Sequence, residues 1–174
     1  MTATTGGGLS GDAFREAMAE VCGPVTVVTA MEDGRPHGTT VSAFTSLSLD
    51  PPLVTVALDR RSDLLAMVTR TGSLAVNVLG AHQEAVARRF ARKGDDKFDG
   101  IAWEPHHGLP LLPGTVVWLG CTVLPFMDGG DHVIVVARVD RVRTMPGRPL
   151  LYHRRQFGTH VTLRGDMVTS TPAP

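Results

Sequence analysis

Three stretches of this 174-residue chain combine residue types and spacing that could do chemistry. The first is Thr39-Thr40-Val41-Ser42-Ala43-Phe44-Thr45-Ser46-Leu47-Ser48, which puts hydroxyls on both faces of an extended run and small residues at its middle. Small side chains let a flat ligand approach the backbone, whose N–H groups can then bond to ring carbonyls. A solvent-exposed strand accounts for the same residues, because Thr suits strands, so both readings stay open on this run alone. The second stretch, Asp59-Arg60-Arg61-Ser62, stands where a helix begins. A helix N-terminus with a capping Ser and a nearby Arg is competent to hold a phosphate, although Asp63 in the first turn argues for plain capping. The third is Gly129-Gly130-Asp131-His132, a flexible turn that delivers an imidazole at the start of a strand. A side chain there can face a cleft, and the apolar neighbours Val133 and Ile134 would shield the ring from water. A lone His is more commonly structural.

Other chemistries find no footing. Gly6, Gly8 and Gly11 satisfy G-x-G-x-x-G, but that motif works between a strand and a helix of a βαβ unit, and no strand precedes it here. His106 and His107 are adjacent, so their side chains diverge on most backbones, and the sequence contains no H-x-x-x-H or C-x-x-C. No metal site is expected. Cys22 and Cys121 lie far apart in apolar surroundings and read as buried free thiols.

The elements that must position these residues are mostly strands. Residues 1–11 and 164–174 read as loose tails around a single domain over 12–163. A helix opens at Asp12 with Phe14, Ala17, Met18, Val21 and Cys22 on one stripe, and Gly23-Pro24 stops it. Strands follow at 25–30, 37–49, 53–58 and 74–79, with an Asp-Gly hairpin signal after the first. Ser62 and Gly72 bracket a short helix, and a second full helix covers 82–92. Val-rich runs at 116–124 and 132–142 face each other across PFMDGGD. With 21 Val and few helices, the chain reads as a closed or nearly closed antiparallel barrel with helices outside it.

Composition sets the remaining bounds. Apolar residues make up 43% and charged residues 20%, enough for an ordinary core. Seventeen basic residues cancel seventeen acidic ones, so nothing demands nucleic acid or another polyanion as partner. No apolar run is long enough to span a membrane and no secretory leader is visible, so a cytoplasmic protein is the expectation.

Taken together, the blocks TTVSAFTSLSLDPPLVTVALDRRSDLL, GSLAVNVLG, ARRFARKGDDKFDGIAWE, GLPLLPG, WLGCTV, GGDHVIVVARV and RPLLYHRRQFG occur in this order across residues 13–158. The sequence resembles the short-chain flavin reductases that supply reduced flavin to two-component monooxygenases. The resemblance implies a mainly β fold with flanking helices, a split antiparallel β-barrel of the FMN-binding type, usually homodimeric. It implies an NAD(P)H:flavin oxidoreductase that moves a hydride from NADH or NADPH to N5 of FMN or FAD. The flavin would be released as a product to a partner monooxygenase, by contact or by diffusion alone. The resemblance puts the flavin ring against Thr40, Val41, Ser42, Ala43 and Ser46. It puts ribityl and phosphate contacts at Asp59, Arg60, Ser62, Asn77, Arg89 and Phe90. His132 would be the catalytic-side residue, bordering the nicotinamide with Tyr152 and Arg154. Two other classes share such a barrel: a flavin-binding protein without turnover, and an oxidase of the pyridoxamine phosphate type. Steady NADH consumption separates the first from a reductase, and the G-D-H and LLYHRR blocks argue against the second.

Overall fold

The computed structural model describes residues 9–162. Seven antiparallel strands form the main sheet, in the order β3-β2-β6-β9-β10-β5-β4. In chain order these are β2 (Thr26–Glu32), β3 (Arg35–Val41), β4 (Phe44–Leu49), β5 (Pro52–Asp59), β6 (Ser73–Val78), β9 (Val117–Gly129) and β10 (His132–Thr144). A short strand β1 (Gly23–Pro24) joins β11 (Leu151–His153) and β12 (Gln156–Gly158), and β7 (Glu104–His106) pairs with β8 (Leu109–Leu111). The large sheet is curved but not closed, a split barrel. Its two edge strands, β3 and β4, are consecutive in the chain and are joined only by Ser42 and Ala43.

That junction corrects the single strand expected over 37–49. An alternating pattern persists through the run, yet the chain leaves one edge of the sheet at Val41 and enters the opposite edge at Phe44. The long hairpin differs too. Its strands run thirteen residues each, with Gly130 and Asp131 alone between them, so most of PFMDGGD is strand. Two bulges interrupt the β9–β10 ladder, the first where Leu124 and Pro125 oppose Val136. Pro125 has no N–H to give the ladder, which is why a bulge forms there.

Hydrophobic burial explains the placement of the helices. On β5, Val54, Val56 and Leu58 alternate inward, as a half-buried strand requires. Helix α2 (Asp63–Thr71) adds Leu64, Leu65 and Val68 to the same core, and Gly72 ends it in the left-handed conformation at φ 67°. A second cluster on the other side of β2 gathers Val25, Val27, Leu79, Leu112 and Leu150 with Ala87 and Phe90 of α3 (Glu84–Phe90). Helix α3 is shorter than the expected 82–92. Gln83 is spent on a turn, its amide accepting from the Gly80 N–H at 2.8 Å and donating to the Pro113 carbonyl at 2.9 Å. Helix α1 (Gly11–Ala19) starts one residue before Asp12, and its cap is Ser10, whose hydroxyl accepts from the Ala13 N–H at 3.1 Å. Apart from residues 9–11, the expected tails lie outside the described residues, as do Gly6 and Gly8.

One buried polar clasp locks the β8 segment across the sheet. The Pro110 carbonyl accepts from Trp118 Nε1 at 3.1 Å, Thr29 Oγ1 at 3.2 Å and Asn77 Nδ2 at 3.4 Å. Asn77 also donates to the Val27 carbonyl at 3.3 Å, and its Oδ1 accepts from the Leu112 N–H at 2.9 Å. Asn77, Thr29 and Trp118 are each fully buried. Replacing Asn77 with Leu keeps the volume but strands the Leu112 N–H and weakens the hold on Pro110. Such an orphaned buried group costs about 1–3 kcal/mol. Urea denaturation of Asn77→Leu should show that loss with an unchanged slope, and a midpoint equal to that of the wild type would remove the clasp from the stabilising interactions.

Candidate functional site

A cleft of about 510 Å³ opens beside the Ser42–Ala43 corner, between the end of β3 and the end of β5. One wall is the end of β3 with the corner: His37, Thr39, Thr40, Val41, Ser42 and Ala43. The facing wall is the end of β5 and the start of α2, from Ala57 through Asp59 and from Arg61 to Asp63. Residues 91–94 after α3, with Lys97 from a single 3-10 turn (Asp96–Phe98), close the basic end, and His132 stands at the rim. The β5–β10 ladder sets His132 directly opposite Asp59, so two chemistry-bearing residues 73 positions apart share one edge.

Of the residues expected here, Thr40, Val41, Ser42, Ala43, Asp59, Ser62 and His132 line this cleft. The Thr40 hydroxyl is already engaged, donating to the Ala87 carbonyl at 2.7 Å, while Thr39 donates to the Phe90 carbonyl at 3.4 Å. These two bonds fasten β3 to the last turn of α3. Asp59 accepts from the Arg61 N–H at 2.7 Å, and that bond, with the Arg61 guanidinium, holds its carboxyl below the usual range. Ser62 is the N-cap of α2, yet its side chain makes no capping hydrogen bond. The imidazole of His132 is 43% exposed, so Val133 and Ile134 do not cover it; its Nδ1 lies 2.7 Å from the Asp131 carboxylate. That contact lowers the Asp131 carboxyl and fixes the ring with Nε2 free.

The other expected residues are placed elsewhere in the single chain. Ser46 sits further along β4, opposite Val54, outside the cleft lining. Arg60 turns away to bond the Gly130 carbonyl and the Asp128 carboxylate, each at 2.7 Å, stapling the β5–α2 connection to the hairpin turn. Asn77 is consumed by the clasp described above. Phe90 is fully buried beneath β3, edge-on to Phe98. Arg89 reaches the carbonyls of Lys97, Asp96 and Asp99 and so orders the segment that carries Lys97. Lys97 and His37 were not among the sequence candidates, and both are buried cleft residues. The His37 imidazole is pushed below its ordinary pKa by burial first and by the Lys97 charge second.

Tyr152 lies in a second, largely apolar groove on the far side of the corner, with Phe14, Met18 and Val21, and Ser42 and Ala43 belong to both grooves. Helix α1 borders this groove without burying a single residue. Its apolar stripe is not covered by the other described residues, and Cys22 beside it is exposed rather than buried as expected. Cys121 is buried, and burial pushes its thiol up to about 12. What holds α1 is polar. The β11–β12 hairpin turns through Arg154 and Arg155, both at positive φ, and the Arg154 N–H bonds the Ala19 carbonyl at 2.8 Å. The Arg154 guanidinium bonds Glu20 at 2.8 Å, and Arg155 reaches Glu16 at 3.6 Å. Among the described residues no three metal-ligating side chains converge; His106 and His107 pack edge-on to each other, and His106 on Trp118. No helix of the described residues is long and apolar enough to cross a membrane.

The fold is an open antiparallel split barrel whose cleft lies between the end of β3 and the β5–α2 connection, and the comparisons specify its family. Residues 18–160 match the family model described as flavin reductase like domain, and the chain belongs to that family. It is 37% identical over 160 residues to the reductase component of a 4-nitrophenol 4-monooxygenase/4-nitrocatechol 2-monooxygenase from Rhodococcus opacus, spanning 92% of this chain and 86% of that one. It is 41% identical over 152 residues to an NADH:riboflavin 5'-phosphate oxidoreductase from Streptomyces pristinaespiralis, covering 84% of this chain and 86% of the relative. Among solved structures, the NADH:FAD oxidoreductase of Streptomyces globisporus C-1027 in complex with NAD and FAD fragments aligns with a TM-score of 0.80 at 33% identity, over 90% of this chain and 94% of that chain.

The α1 clamp gives a pH dependence whose sign is fixed. The hydrogen bond from Arg154 holds the Glu20 carboxyl below its usual range, so the contact is present at neutral pH and is lost as pH falls through that lowered value. Hydrogen exchange at the Arg154 amide, corrected for its intrinsic pH dependence, should lose protection on acidification and in high salt. Glu20→Gln should be weakly protected throughout. Wild-type protection in that variant would show that the ion pair does not hold the helix.

Proposed function

We propose that this protein is an NADH-dependent flavin reductase that reduces FMN or FAD and releases it, in the cytoplasm, to a partner flavin-dependent monooxygenase. The observation that carries the reading is the Ser42–Ala43 corner. It lies outside the strands, carries two small side chains, and opens on both grooves, so a flat ring can lie against the backbone with either face accessible. When bound, the nicotinamide supplies a hydride and the flavin ring accepts it at N5. The chain itself contributes placement. Val41, Ser42 and Ala43 seat the ring, Asp59 and Ser62 border the polar tail, and His132 presents its free Nε2 at the rim where a carboxamide can bond it. Neither a nucleophile nor a metal is needed for such a transfer. Reductase components and NADH-dependent reductases among the relatives support the choice of donor and of a monooxygenase partner.

NADH oxidation measured with FMN, FAD and no added flavin tests this directly. Turnover that depends on added flavin is expected, and its absence with both FMN and FAD would refute the reading. In the same assay His132→Ala should raise the KM for the nicotinamide, or slow hydride transfer, about tenfold, the scale of one lost polar contact. Flavin affinity should stay within about twofold of wild type. A well-folded variant with wild-type kinetics would take His132 out of the site.

We further propose that the active form is a homodimer in which a second copy covers the apolar side of α1. Phe14, Met18, Val21 and Tyr152 are 54%, 46%, 57% and 38% exposed around one groove that adjoins the corner. Contiguous apolar surface of this kind marks an interface, and two-fold dimers are its commonest closed use. Light scattering at micromolar concentration should give twice the chain mass, and a fully active monomer would overturn the assignment.

A further inference from the structure

The cleft holds one cation unlike the rest. Arg61, Arg92 and Lys93 are exposed, whereas Lys97 retains only 7% of its surface. Its Nζ donates to the Gly38 carbonyl at 3.1 Å and forms no ion pair with a carboxylate among the described residues. Asp63 and Asp95 act on it only through space, and burial is the dominant influence, lowering its pKa. An ammonium has three N–H donors, so two are left without an acceptor among the described residues. Burying a charge without partners is costly, and the protein has built this position deliberately. Phe98 and Phe90 pack edge-on beneath the turn, and Arg89 grips its carbonyls from outside. Across the same cleft, the nine-residue helix α2 begins at Ser62, whose hydroxyl is not used to cap it. A buried cation with unused donors and a helix start without a side-chain cap line the same cleft, and an anionic group suits both.

We propose that Lys97 is the anchor for the phosphate of the flavin tail, with the start of α2 facing it. This rests on the flavin reading of the cleft and refines it, because the anchor comes from the turn after α3 and not from the arginines at 60 and 89. Phosphate oxygens supply the acceptors that the ammonium lacks. Riboflavin, which has the same ring and ribityl chain without phosphate, cannot.

The test is to titrate the full-length wild type and Lys97→Met with FMN, FAD and riboflavin by flavin fluorescence. The expected result is a loss of about tenfold or more for FMN and FAD in the variant, with riboflavin within about twofold. A loss for FMN with FAD unaffected also supports the anchor and restricts it to the terminal monoester. Lys97→Gln, which keeps a donor toward Gly38 but not the charge, gives the same ratio if the Met variant does not fold. Equal losses for all three flavins, or none, would overturn the assignment and leave Lys97 as a structural strut. Wild-type protein that binds none of the three would instead overturn the flavin reading itself.

Discussion

The constraint behind the site is that the two free edges of the sheet are consecutive in the chain. Strands β3 and β4 bound the open side of the barrel, and only Ser42 and Ala43 cross between them. The three Cα steps from Val41 to Phe44 reach roughly 11 Å when extended, so the edges must converge at that point. The cleft opens on the β3 side of this crossing, between the end of β3 and the β5–α2 connection. The Ala57 N–H bonds the Ala43 carbonyl at 3.0 Å, which ties the corner to β5 and gives the cleft a fixed back. Bulky side chains at the crossing would fill the space, so the small residues there follow from the topology as much as from any ligand.

Everything else around the cleft serves to aim its walls. Thr39 and Thr40 bind β3 to the end of α3: Thr39 satisfies the Phe90 carbonyl, which the helix terminus leaves free, and Thr40 adds a second donor to the Ala87 carbonyl, which already accepts the Ala91 N–H. Arg60 binds the start of α2 to the hairpin turn, and Arg89 shapes the segment after α3. These two arginines therefore act through the backbone they hold. The apolar clusters on either side of β2 fix the sheet, while the polar contacts at its ends decide where each loop points.

Much of this was legible in the sequence. The Val-rich alternation of β5 and β10, the Ser62 and Gly72 ends of α2, and the seven ordered blocks each survive into the structure. The corner was hidden because the alternating pattern of 37–49 does not change where the chain changes edge. Periodicity reports which residues face the core, and both edges share that core. The directions of Arg60 and Arg89 were hidden as well, since an arginine at a helix end is compatible with a ligand, a carbonyl or water. Lys97 gave no signal at all: in KGDDKF it reads as one charge in a polar loop. Its burial depends on Phe90 and Phe98 packing beneath it, a purely tertiary fact.

The paired bulges of the long hairpin carry a consequence for how this fold can vary. Leu124 and Pro125 together oppose Val136, which puts one extra residue in β9, and Asp140 is then an extra residue in β10. The two offsets cancel, so the pairing at Trp118 and the pairing at His132 are back in step. Successive strand residues point to opposite faces, and a shift of one reverses every side chain. With only one of the bulges, the end that packs Trp118 and the end that presents His132 would be out of phase. A single-residue insertion or deletion within either strand would therefore put these two ends out of phase unless a second change offset it.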